Sequence, residues 1–195
     1  MKTLKLSALL LLSILIVSTT GCVSITSSPD VEDSFYDDPN PVTTDSEYFQ
    51  AIEVGKTEGF KGTNPFWFSG KVSPNLDNDT AKEALEDTLR SAEMLAVNGS
   101  ATYQLDAIMV DDDAKGVFGG DNIFTGTERN MSIRYVLRAL NTTAILYNEV
   151  IKSHGEAGCS DLCIGAYLQE SIATERSNTD SHKQLIEDLK GLQAD

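Results

Sequence analysis

The chain has 195 residues, with 30 Asp and Glu against 15 Lys and Arg, for a formal net charge of −15. That balance excludes nucleic acid as a partner, because phosphate neutralisation needs clustered Lys and Arg. It also leaves no electrostatic attraction to an anionic bilayer surface, so any membrane attachment must come from a lipid or an apolar segment.

At the N-terminus, Lys2 and Lys5 precede an apolar run from Leu6 to Val17, and Ser18, Thr19, Thr20 and Gly21 then lead to Cys22. A spanning helix needs about 20 apolar residues, and this run matches the shorter core of an export signal. No later stretch is apolar enough to span a bilayer. Gly21 and Cys22, with small residues before them, resemble a lipobox, although Thr19 stands where Leu is usual. The resemblance implies that residues 1–21 are a lipoprotein signal peptide and that Cys22 becomes a lipidated, palmitate-bearing first residue. Each buried CH₂ contributes about 0.8 kcal/mol, so the three acyl chains implied would be an ample anchor. Val23 and Ser24 follow, with no Asp at the second mature position, a pattern that points to the outer membrane, with the protein facing the periplasm.

Residues 22–47 read as an acidic, disordered tether. Ser, Thr and Pro alternate with Asp30, Glu32, Asp33, Asp37, Asp38 and Asp45, and no Lys or Arg occurs between Lys5 and Lys56. Such a segment buries too little apolar surface to offset its chain entropy. Phe35 and Tyr36 are either a short docking motif or incidental apolar residues in a linker.

Residues 48–195 have the length of a single domain. Tyr48 to Lys56 alternates as a first strand, which Phe66, Trp67 and Phe68 extend or pair with. From Asp79 the period becomes helical: Ala81, Ala84, Leu85, Leu89, Ala92 and Leu95 share one face. Thr80 and Glu83 have capping-box spacing, and Asn98-Gly99 supplies a stop. Ala101 to Asp111 is a second strand, with Tyr103, Leu105, Ala107 and Met109 on one face. A polar connection, Asp112 to Gly126, leads to a third strand, Thr127 to Ala139. There Met131, Ile133, Tyr135 and Leu137 point inward, and Arg129, Ser132, Arg134 and Arg138 are assigned outward. Asn141-Thr142-Thr143 turns the chain into Ala144 to Lys152, which completes a meander. A final helix covers about 162–192, with a stripe weakened around Ser177 to Ser181. The expected class is α+β, a two-layer sandwich in strand-helix-strand-strand-strand-helix order. Its mostly antiparallel four-stranded sheet carries two helices on one face and leaves the other open.

The sequence around Leu89-Arg90, Tyr103, Leu105, Asp106, Ile133, Tyr135, Leu137, Tyr147, Ala173 and Glu175 resembles a group of uncharacterised proteobacterial lipoproteins. Its arrangement is similar to envelope lipoproteins that assist transport machines, such as the plug-like partner of the lipopolysaccharide translocon. The resemblance covers residues 80–192 and sits mostly on packing positions, so it implies the fold more than any activity.

Cys159 and Cys163 are the thiols left once Cys22 is acylated, and an oxidising compartment favours a disulfide between them. Free thiols remain the alternative. A metal site is disfavoured, because Cys-x3-Cys with His154 lacks ligand spacing. Asp111, Asp113 and Gly116 fit three positions of a calcium loop, but Lys115 and Asn122 occupy two ligand positions, so a solvated acidic strand end is the better reading. The Gly116–Gly126 stretch has no phosphate-loop pattern. Its Phe118, Ile123 and Phe124 either contact a partner or tuck under the sheet edge. His154 and His182 accompany no nucleophile motif, and no metal or cofactor is expected. The sequence therefore points to a non-enzymatic accessory component of an envelope assembly or transport system, held by Cys22 and binding an envelope protein. The alternative is a lipid-anchored hydrolase whose site assembles from distant residues.

Overall fold

The computed structural model describes residues 28–63, 74–97, 99–113, 126–158, 160–161 and 166–192. Its elements are α1 (Val31–Ser34), β1 (Ile52–Glu58), α2 (Asn78–Ser91), β2 (Tyr103–Asp112), β3 (Thr127–Ala139), β4 (Ile145–Ala157) and α3 (Ala166–Gly191). They form one four-stranded sheet in the order β1-β2-β3-β4.

The sheet is mixed: two of its three pairs are antiparallel, as expected of a mostly antiparallel sheet, while the first pair is parallel, and a short third helix, α1, joins the two expected. β2, β3 and β4 form the antiparallel meander, but β1 runs parallel to β2, with Ile52 beside Tyr103 and Val54 beside Leu105. Parallel neighbours need a crossover, and α2 provides it. Alternation then sorts the side chains. Ile52, Val54, Leu105, Ala107, Ile133, Tyr135, Leu137, Tyr147 and Ile151 turn to one face, where Leu85 and Leu89 of α2 and Leu185, Ile186 and Leu189 of α3 complete the core.

α2 begins slightly earlier than its spacing suggested. Asp77 is the N-cap, accepting from the Thr80 N–H while Thr80 Oγ1 accepts from the Asp77 N–H, so Thr80 is the third helical residue and not the cap. The helix also ends before Asn98-Gly99. Ser91 is its last residue, Glu93 takes the left-handed conformation at φ 57°, and the Met94 N–H returns to Leu89 O at 2.8 Å. Tertiary packing overrides the glycine signal because Met94 is fully buried, and its carbonyl accepts from the N–H groups of Ala51 and Ile52.

The described part of the expected tether, from Pro29 to Glu47, is a strap across the helices, not a disordered segment. Asp30 caps α1 by accepting from the Glu32 N–H, and its own N–H donates to Glu175 at 2.9 Å. The Tyr36 N–H donates to Thr88 Oγ1 on α2, the Asp38 N–H to Ser91 Oγ, and the Val42 N–H to Ala92 O. Lys190 of α3 holds the buried Asp38 carboxylate. Val31, Phe35, Tyr36 and Val42 pack on the core, so the apolar residues scattered among the acids have a single surface to cover.

Candidate interaction surface

Cys22, Phe118, Ile123, Phe124, Cys159 and Cys163 all lie outside the described residues, as do Phe66, Trp67 and Phe68. The other polar residues singled out in the sequence are placed, and most of them serve the interior.

Arg129 is the clearest correction. Its charge predicts an outward side chain, yet it shares parity with Met131, Ile133 and Tyr135, and the side chain is fully buried. Its Nε lies 2.6 Å from Asp112 Oδ1 and its Nη2 donates to Asp112 Oδ2 at 2.7 Å, while Nη1 reaches Glu170 of α3 at 3.2 Å. Asn75 donates to the same Asp112 oxygen at 2.8 Å. A planar guanidinium with two carboxylates satisfies the charge that alternation forces inside. The acidic run is thereby divided: Asp112 belongs to this network, and Asp113 accepts from the backbone and side chain of Asn130. Among the described residues no three His, Cys, Asp or Glu come together as a metal-holding group.

The weak stripe of α3 has a similar explanation. Ser177, Asn178, Ser181 and His182 are buried against the sheet and α2. Ser177 shares a hydrogen bond with Ser153 of β4, Ser181 with Tyr135 of β3, and His182 Nδ1 with Thr88 of α2. Desolvation pushes the His182 pKa down to about 4, against a hydrogen bond with the Ser34 backbone that acts the other way. These small residues let the helix lie very close to β4. A Cβ on Gly155 would sit 2.0 Å from Ala173 O and 2.6 Å from Ser177 N. His154 is exposed, its ring bonded to Asn130 and Glu156.

Among the described residues no helix covers the opposite sheet face. Gln104, Asp106 and Ile108 of β2 lie on it beside Arg138, Val136 and Arg134 of β3, which in turn face Ile145, Asn148 and Val150 of β4. Asp106 is the fixed point of its β1 side. β1 bulges between Val54 and Thr57, and the freed Lys56 N–H donates to Asp106 Oδ1 at 2.9 Å. Gln104 donates to the same oxygen and Arg138 pairs with the other. Gly55 leaves space for this arrangement, since a Cβ there would sit 2.4 Å from the carboxylate. Burial raises the Asp106 pKa, but the Lys56 N–H, Arg138 and Gln104 together outweigh it, and the net shift is downward.

On the β4 side the face is more apolar and more open. Ile145 is 57% exposed, Val150 39% and Leu146, at a bulge in the β3–β4 register, 40%. Leu146 also borders an open hollow of about 380 Å³ at the end of the sheet, where Tyr103 donates to Glu47 and packs edge-on against Tyr48. Glu47 is the one carboxylate among the described lining residues, and burial raises the pKa of both Tyr48 and Tyr103 beside it, so both phenols stay protonated.

No known protein-family model and no curated protein matches the chain. Solved structures do. A protein of the family DUF330 from Xanthomonas campestris aligns with a TM-score of 0.51 at 9% identity, covering 78% of this chain and 87% of that one. The likeness is one of fold. A candidate lipoprotein from Caulobacter crescentus aligns with a TM-score of 0.48 at 18% identity, covering 75% of this chain and 93% of that one. A hypothetical protein from Chlamydia trachomatis aligns with a TM-score of 0.46 at 10% identity, over 74% and 97%. None of the three is described as a lipopolysaccharide-transport protein, so that resemblance rests on the sequence alone.

Proposed function

We propose that this chain is a lipid-anchored lipoprotein of the cell envelope, held by Cys22 in the outer membrane and facing the periplasm. Its domain acts as a non-enzymatic binding component of an envelope assembly or transport system. The apolar run ending in Gly21-Cys22 supports the anchor. Among the described residues no helix is long and apolar enough to cross a membrane. One observation carries the binding role: among the described residues most buried polar side chains pair with one another, while the sheet face with exposed Ile145, Leu146 and Val150 has no helix over it. Catalysis needs the reverse, polar groups left available in a recess.

Two measurements test the reading. Cells given labelled palmitate should label the wild-type protein and not Cys22→Ser, which should move to the soluble fraction; a labelled, membrane-bound Cys22→Ser protein would sink the anchor. Photo-crosslinkers placed across the open face should capture one envelope protein in intact cells. Silence from every surface position would end the accessory role.

A further inference from the structure

We propose that the outer edge of β4, from Ile145 to Val150, docks an extended acidic segment of a partner protein, which joins the sheet as a fifth strand. This rests on the accessory reading above and names where and what the partner binds.

The edge is protected over only half its length. Gln184 of α3 donates to Lys152 O, the His154 N–H donates to Asp180 Oδ2 at 3.1 Å, and Arg176 donates to Glu156 O at 2.6 Å. The even-numbered residues of β4 therefore turn their backbone groups away from β3. Antiparallel alternation gives Asn148 and Val150 the same outward direction. Among the described residues, no α3 side chain caps them. An uncapped edge with apolar side chains is a template for strand addition, and proteins usually blunt such edges with charge or proline. This one has neither between Ile145 and Asn148, and its one charge, Glu149, alternates to the other face.

Charge selects the occupant. Val150 lies opposite Arg134 and Lys152 opposite Ser132, which puts both cations on the open face beside the bare edge. Among the described residues neither is within ion-pair distance of a carboxylate, whereas Arg138 is committed to Asp106. In a chain with twice as many acids as bases, two cations without such a partner match an incoming strand with acids on that face. On the opposite side the edge is flanked by Glu149, with Tyr147 donating to Asp188 nearby. The incoming residues that point there should be uncharged. Main-chain hydrogen bonds would supply affinity and this alternation specificity. A second copy is a poor occupant, because β4 carries no carboxylate on its open face from Ile145 to His154 to meet these cations.

The test uses the full chain in mild detergent and two fluorescein-labelled octapeptides, one alternating Glu with Val and the other Lys with Val. Fluorescence anisotropy should show saturable binding of the Glu peptide, weakened by salt, and at least about tenfold weaker binding of the Lys peptide. The double variant Arg134→Glu/Lys152→Glu should reverse that preference. Val150→Pro removes an outward N–H without touching the β3 ladder, and should weaken the Glu peptide about tenfold while the circular dichroism stays unchanged. Equal binding of both peptides, or indifference to the charge reversal, overturns the proposal. Self-association abolished by Val150→Pro also overturns it, in favour of a second copy. If neither peptide binds but crosslinkers elsewhere on the domain capture a partner, the edge assignment fails and the accessory role stands.

Discussion

His182 shows how a polar residue can be structural and still set a property of the whole protein. Its folded pKa of about 4 lies below the ordinary 6.5, so folding favours the neutral ring. The unfolded chain binds more protons between those values. The stabilisation is therefore complete above pH 6.5 and is lost as the pH falls towards 4. Glu175, raised mainly by burial, acts in the opposite sense over part of this range. Urea denaturation at pH 7 and pH 4 should show the wild type losing about 3 kcal/mol more than His182→Asn, which keeps a polar group for Thr88 but does not titrate. Equal losses would remove His182 from the account. Arg129 is the second such residue. Arg129→Ala leaves Asp112 and Glu170 facing each other without the cation, and should cost about 3–5 kcal/mol in the same assay. A cost below about 1 kcal/mol would mean the network is solvated.

Elements meet most closely where α3 crosses β4. The helix backbone rests on Gly155, and Ser177 and Ser181 take the places that larger apolar residues hold elsewhere in the core. Gly155→Ala must therefore push the helix outward, since the atoms it meets are backbone. The expected loss is about 2–3 kcal/mol, read from a lower urea midpoint with an unchanged slope. The same crossing explains which part of β4 is exposed. Among the described residues α3 supplies caps from Lys152 to Glu156 and none at Asn148 and Val150, so the helix path sets where an added strand could begin.

Across the whole molecule, the strap ties the N-terminal segment to both helices. A chain beginning at residue 48 would lose the cover that Val31, Phe35, Tyr36 and Val42 give the core, together with the Asp38–Lys190 pair. Set against the ordering entropy of the strap, its removal should lower stability by about 2–4 kcal/mol relative to a chain beginning at residue 28. Matching urea curves would show the strap to be incidental. Because Pro29 is already buried in the fold, only the residues between it and Cys22 remain to separate the domain from a lipid anchor. Even fully extended they span roughly 25 Å, so the anchor proposed at Cys22 would hold the domain close to the bilayer.

Local pattern was enough to locate most elements. β3 spans Thr127–Ala139 in the sequence and in the fold alike, because every second residue from Thr127 to Ala139 is buried, which leaves the strand one register. The same alternation held the position of Arg129, which the sign of its charge obscured. Other features depend on residues far apart in the chain. β1 is parallel to β2 because α2 crosses over the sheet, and α2 stops at Ser91 because Met94 is needed in the core. The acidic N-terminal segment is ordered because Thr88, Ser91, Ala92 and Lys190 offer it partners that its own composition cannot reveal. Periodicity within a segment is set by local geometry and can be read from sequence. Which polar groups find one another, and which strand edge stays uncovered, depends on how the helices pack, and only the tertiary structure decides it.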